Sequence, residues 1–227
     1  MTNFQIVKYI GFSGKEEKYK AIESVAKELP VVFTGSFQKP SLYTFFTGKE
    51  ATVISSLYTR QTQFDIWQFE KKYYNRPVFI CAGTGEKSQV YGSGRLQFSG
   101  FRTDSLQTVN RMKIFFSLTE NSFHPGDSMS ISFTLHNKYD HDIDFDHSRF
   151  PVGVCMVFLQ GEEVHVHCVS PAEPVGIISG GDTLNGNLSA VVPALPGGTY
   201  HFGISLNTIF GPSLNSHFVR IEIENND

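Results

Sequence analysis

The densest group of ligand-type side chains is Asp140-His141-Asp142-Ile143-Asp144-Phe145-Asp146-His147. In an extended strand Asp142, Asp144 and Asp146 share one face, opposite Ile143 and Phe145, and carboxylates so placed suit a hard cation such as calcium. The run lacks a glycine at the turning position and an acidic residue at loop-closing distance. An acidic solvent face on an edge strand, which discourages edge-to-edge pairing, is therefore the favoured alternative. His165 and His167 flank Val166 and point the same way, but two imidazoles are too few for a zinc site. Gly83-Thr84-Gly85-Glu86-Lys87-Ser88 follows a strand as a phosphate loop would. There Glu86 separates Gly85 from Lys87 and the leading glycine is missing, so nucleotide hydrolysis is disfavoured. No nucleophile–base pair stands out, so no catalytic residue is assigned and no cofactor is expected.

A broader constellation lies at the ends of three short apolar segments, residues 31–34, 52–56 and 78–81. The first leads into Ser36, Phe37, Gln38 and Lys39, the second into Tyr58, Arg60 and Gln63, and the third into Thr84 and Lys87. If the three are parallel strands, these loops meet at one edge, beyond the carboxyl ends where open sheets bind ligands. Such an edge is polar, cationic and aromatic, and suits an anionic or sugar-bearing partner. Ser36, Gln38, Lys39, Tyr43, Tyr58, Arg60 and Gln63 are the candidate contacts. An ordinary polar rim over packed loop aromatics is an equal alternative.

The elements that would position these groups fall into two halves. Tyr19, Ile22, Ala26 and Leu29 recur at helical spacing, which predicts a helix over 15–29 stopped by Pro30. Further helices are expected over 40–46 and 65–74, alternating with the three strands. That order predicts a small Rossmann-like α/β domain, with a three-stranded parallel sheet, over 1–90. After Gly83 short alternating strands are separated by turns such as Pro125-Gly126-Asp127, Gly180-Gly181-Asp182 and Pro196-Gly197-Gly198. They predict an antiparallel immunoglobulin-like β-sandwich over 91–227, with the boundary between Gly83 and Gln107.

One hairpin is legible residue by residue. A two-residue turn at Gly161-Glu162 pairs residues whose numbers sum to 323, so Leu159 faces Val164, Val157 faces Val166 and Cys155 faces Cys168. The cysteines then occupy a non-hydrogen-bonded pair, close enough for a disulfide, with two buried free thiols as the plainer alternative. Cys81 has no partner.

Composition narrows the class. A net charge of −3, without a long basic cluster, disfavours a nucleic-acid partner. Residues 183–219 carry no Asp, Glu, Lys or Arg, but prolines and glycines interrupt them too often for a membrane-spanning helix. The amino-terminal stretch MTNFQIVKYIGFSG does not read as a signal peptide.

Leu29-Pro30-Val31-Val32, Ser36 through Tyr43, Thr47-Gly48, and then Tyr58, Arg60, Gln63 and Asp65 resemble a known family. It is the soluble carboxy-terminal region of Bacteroidetes membrane glycosyltransferases in the protein O-mannosyltransferase and aminoarabinose transferase superfamily. The resemblance covers about the first third of the chain. It implies a parent enzyme that moves a sugar from a polyprenyl-phosphate carrier to an acceptor on the extracytoplasmic face. In that family the catalytic acidic residues belong to loops of the membrane-embedded part. The implied role is a non-catalytic, periplasmic accessory domain whose partners are that membrane part and a lipid-linked sugar or glycan. The competing reading is a stand-alone protein- or carbohydrate-binding module without enzymatic activity.

Overall fold

The computed structural model describes residues 14–59, 63–82, 88–171 and 173–225, and of Asp65 the backbone alone. The chain divides into two compact units, Met1–Gln107 and Thr108–Asp227.

The first unit opens with helix α1 (Lys15–Ala26), whose buried Tyr19, Ile22 and Ala26 follow helical spacing. The helix ends three residues earlier than its apolar pattern suggests, because Lys27 takes φ 59° and its N–H caps Glu23 O. Strand β1 (Val31–Thr34) follows, then α2 (Gln38–Thr47), closed by Gly48 at φ 71°. Next come β2 (Ala51–Ile54) and the single-turn helix α3 (Gln63–Trp67). Gln68, at φ 53°, then breaks the helix expected over 65–74, and a 3₁₀ segment covers Phe69–Tyr73. The unit finishes with β3 (Val78–Cys81), β4 (Gln89–Tyr91) and β5 (Phe98–Thr103).

These strands form one sheet in the order β2-β1-β3-β5-β4. β1 runs parallel to β2 and β3, whereas β5 is antiparallel to both β3 and β4. The Rossmann-like three-stranded parallel domain expected from the sequence is therefore replaced by a mixed five-stranded sheet. The reason is the connection after β3. Residues 92–97 between β4 and β5 are too few for a crossover, so the chain can only return antiparallel. Gly100 permits this return, since a Cβ there would lie 2.5 Å from Ile80 O and 2.7 Å from the Phe79 ring. One face of the sheet packs Val31, Phe33, Val53, Phe79 and Phe98 against Tyr19, Ile22, Ala26 and Tyr43. Val32, Thr52, Ile54 and Ile80 on the other face are also buried.

The second unit is built of strands: β6 (Met112–Leu118), β7 (Ser122–Phe123), β8 (Ser128–Asn137), β9 (Ile143–Asp144) and β10 (Gly153–Gln160). They are followed by β11 (Glu163–Val169), β12 (Ile177–Ile178), β13 (Thr183–Val191), β14 (Gly198–Thr208), β15 (Gly211–Pro212) and β16 (Val219–Ile223). A three-stranded sheet runs β13-β8-β6, and a larger one runs β11-β10-β14-β16-β7 with β15 on β14. β7 joins β16 in parallel, and β9 pairs β12 in a separate ribbon. The purely antiparallel immunoglobulin-like sandwich beginning at residue 91 is thus corrected on two counts: the larger sheet is mixed, and β4 and β5 belong to the first unit. The chain is predominantly β, and among the described residues only α1 and α2 exceed five residues as helices.

Two buried asparagines hold this second unit in place. Asn215 donates from Nδ2 to Val109 O (2.8 Å) and Met112 O (3.0 Å), and its Oδ1 accepts from Leu206 N (2.8 Å), so it ties β14 to the start of β6. Asn137 donates to His141 O, Ile178 O and Ser179 O and accepts from Tyr139 N. Each satisfies backbone groups that no ladder reaches.

Candidate functional site

The carboxyl ends of β1 and β3 open into a cleft of about 650 Å³. Its loop wall carries Ser36, Gln38 and Lys39, which follow β1, and its far side is formed by Cys81, Ala82, Phe98 and Ser99. The remaining wall is α1, where Lys15 and Lys18 sit one turn apart beside Tyr19 and Ile22. Tyr19 and Ile22 are pulled inward by the core, which leaves the two lysines on the border of the same face. Three lysines thus line one cavity whose described lining contains neither a carboxylate nor an imidazole.

Local hydrogen bonds fix the loop. Gln38 N donates to Ser36 Oγ at 3.3 Å, Lys39 N donates to Ser36 O at 3.1 Å, and Lys39 Nζ donates to Thr34 O at 2.8 Å. Gly35 takes φ 84°, a left-handed conformation that turns the chain out of the strand. Lys18 forms no ion pair with any described residue.

The Cys81 thiol reports the electrostatics. Burial pushes it up from an ordinary value near 9.0 to about 11, against the opposing pull of the Lys39 and Lys18 charges. A thiol so placed stays protonated at neutral pH and is a poor nucleophile. Burial likewise raises Tyr19, and pushes Tyr43 up to about 12.

Of the sequence-predicted contacts, Ser36, Gln38 and Lys39 come together in the cleft. Tyr43 does not. It is fully buried on the inner face of α2, with its ring 5.7 Å from Phe33 and 6.3 Å from Tyr19, and belongs to the core rather than the loop edge. Tyr58 and Gln63 are exposed beyond β2 and do not line the cleft. Arg60, Thr84 and Lys87, and with them all but Ser88 of the phosphate-loop run, lie outside the described residues. Sequence reasoning missed Lys15 and Lys18, although their spacing next to Tyr19 and Ile22 marks them as the rim of a helix face.

The acidic run does not form the expected strand. Only Ile143–Asp144 is extended, and the chain turns at Phe145 and Asp146, although Ile143 and Phe145 are both buried. Asp144 Oδ1 accepts from Asp146 N and Asp142 Oδ1 from Gly180 N, so two of the three carboxylates tie down backbone. No group of three metal-ligating side chains is gathered among the described residues. Cys155 and Cys168 face each other across the β10–β11 hairpin, Cα atoms 3.8 Å apart, and are joined by a disulfide. Gln160 pairs with Glu163, so partner numbers sum to 323 throughout the hairpin.

No family model matches the chain, and no curated protein matches it. Solved structures align with about half of it. An alkylpurine DNA glycosylase, AlkC of Pseudomonas fluorescens, aligns at 10% identity and TM-score 0.35, covering 50% of this chain and 30% of that one. The sporulation control protein Spo0M of Bacillus subtilis aligns at 15% identity and TM-score 0.30, covering 51% and 50%. A Niemann-Pick type C2 protein from Japanese carpenter ant aligns at 10% identity and TM-score 0.33, covering 50% and 89%. The chain therefore spans half or less of the first two, and likeness at this level carries no functional argument.

Proposed function

We propose that the chain is a non-catalytic binding module whose first unit holds a phosphate-bearing ligand in the lysine-lined cleft. The observation that carries this reading is the convergence of Lys15, Lys18 and Lys39 on one cavity free of carboxylates among its described lining. Charge-assisted hydrogen bonds from ammonium to phosphate are stronger than neutral ones. Ser36, Gln38 and Ser99 add neutral polar groups, and Tyr19, Leu42 and Phe98 supply an apolar wall. The described lining offers neither a carboxylate nor an imidazole, and its thiol is held protonated, which supports a binding role for the cleft.

A ligand with an anionic head and an apolar body fits both surfaces. The resemblance of residues 29–65 to the soluble region of polyprenyl-phosphate-dependent glycosyltransferases names such a ligand, the carrier phosphate with its prenyl chain. In this reading the chain is an extracytoplasmic accessory domain that works beside a membrane-embedded catalytic part. No helix among the described residues is long and apolar enough to cross a membrane, so any such part is separate from these elements. Co-flotation with phosphatidylcholine vesicles tests the proposal. The protein is expected to float with vesicles containing polyprenyl phosphate and to stay behind with vesicles lacking it. Equal behaviour with both would refute it.

A further inference from the structure

We infer that the second unit carries a separate site for a neutral glycan, on the outward face of the β13-β8-β6 sheet. It goes beyond the phosphate reading, since it uses another unit and opposite chemistry. The sheet register places Asn185, Thr134 and Phe115 in one row across the three strands, and Asn187, Ser132 and Ser117 in the row two residues away. Between the rows lies a groove of about 520 Å³. Alternation turns the side chains of the intervening row inward and leaves its backbone as the floor. Gly186 confirms the geometry, because a Cβ there would lie 2.6 Å from the Phe133 ring on the buried side.

The groove walls are unusual for a solvent-facing sheet. The outward residues around the groove, Ser117, Ser130, Ser132, Thr134, Asn185, Asn187 and Ser189, are hydroxyls and carboxamides, and the outward face holds no carboxylate, with Lys113, His136 and Val191 toward its ends. The uncharged stretch 183–219 of the sequence supplies the β13 wall. Thr134 Oγ1 donates to Asn185 Oδ1 at 2.7 Å, and Ser132 Oγ donates to Asn187 Oδ1 at 2.8 Å. Each bond engages the amide oxygen and leaves the Nδ2 group, a double donor, without a hydrogen-bond partner among the described residues. The two amides sit two residues apart on one strand, roughly 7 Å. Phe115, 55% exposed, lies at the end of the first row and offers an aromatic face.

An aromatic ring beside fixed amide donors and hydroxyls matches a pyranose ring, which has an apolar C–H face and a belt of hydroxyls. The groove lining itself carries no charge, and Lys113 with His136 stands one row beyond Phe115 on the same face, so a neutral ligand fits the groove better than an acidic or basic protein partner. The groove's lining residues come from all three strands, from β13 at one edge of the sheet to β6 at the other, a span that suits an oligosaccharide.

The test is a titration of the full chain, followed by amide NMR, with neutral tetrasaccharides of glucose, of mannose and of N-acetylglucosamine. At least one is expected to bind saturably, and Phe115→Ala is expected to weaken it about tenfold or more. Asn185→Asp with Asn187→Asp, which exchanges donors for acceptors at unchanged size, is expected to do the same. Both variants change exposed groups, so their melting should stay close to that of the parent. Three results would overturn the inference: no response to any tetrasaccharide at about 10 mM, a concentration above the millimolar Kd of even weak binding; binding equal in both variants; or self-association of the chain that Phe115→Ala abolishes. Loss of phosphate binding by the first unit would leave all three readouts unchanged.

Discussion

Cys81 makes the cleft measurable. The chain has three cysteines, and two form the Cys155–Cys168 disulfide, so Cys81 is the single free thiol. Burial moves its titration from near 9.0 to about 11. At pH 8 the thiolate fraction then falls from roughly one in ten to about one in a thousand, a loss of about 100-fold in reactive species. Iodoacetamide alkylation of the native protein should be about 100-fold slower than that of a free cysteine peptide. The rate should climb tenfold per pH unit up to pH 10 and level off near 11. Lys18→Ala and Lys39→Ala each remove a cation that favours the thiolate, so each should slow alkylation further and move the curve to higher pH. An alkylation rate at pH 8 within about threefold of the free peptide would refute the described burial. A curve unmoved by loss of either lysine would refute their placement beside the sulfur. The same titration destabilises the fold in base. A thiol raised in the folded state stabilises below pH 9, and that contribution is lost as pH rises from 9 through 11.

Asn215→Ala strands Met112 O and Leu206 N, while Val109 O keeps the bond from Met112 N, and at about 1–3 kcal/mol per orphaned buried group it should cost roughly 2–6 kcal/mol in urea unfolding; a loss below about 1 kcal/mol would contradict its role. The Cys155–Cys168 bond closes a hairpin with a sequence separation of 13, so Cys155→Ala with Cys168→Ala should lose about 3 kcal/mol, and a melting curve identical to that of the parent would sink this. Gln68 is left-handed at φ 53°, where glycine has no penalty, so Gln68→Gly should raise stability by about 1 kcal/mol, whereas destabilisation would show that its side chain matters more.

How far the sequence reached depended on how local the deciding interaction was. The β10–β11 register was readable because a two-residue turn and strict alternation determine it, and strand β3 because it is a short continuous apolar run. The amino-terminal helix was readable up to Ala26, but its true end rests on the backbone of Lys27, for which no residue type gives a signal. The mixed first sheet was missed because β5 has to pair with β3 over a distance in sequence that periodicity does not report. Tyr43 falls in the helix expected over 40–46 and among the candidate ligand contacts, yet its spacing from Pro40 along α2 marks a buried helical stripe. In the acidic run the alternation of aspartates with buried Ile143 and Phe145 is the pattern of a strand, whereas the chain turns at Phe145 and Asp146, where Asp144 Oδ1 accepts from Asp146 N, a local bond that alternation does not report. In the cleft, the loop after β1 was visible and the lysines of α1 were not, because only the packing of Tyr19 and Ile22 brings them there. The outward groove was beyond reach, since it needs the pairing of β13 with β8 across about fifty residues, from Asn187 to Ser132.

The most direct test of the account is isothermal titration of the full chain with farnesyl phosphate, farnesol as control, for the parent and for Lys18→Ala with Lys39→Ala. The account predicts saturable binding of the phosphate that weakens with salt, none of the alcohol, and at least a tenfold loss in the double variant, as removal of charge-assisted bonds of about 1.5–3 kcal/mol requires. Equal binding of phosphate and alcohol, or a double variant that binds like the parent, would contradict it.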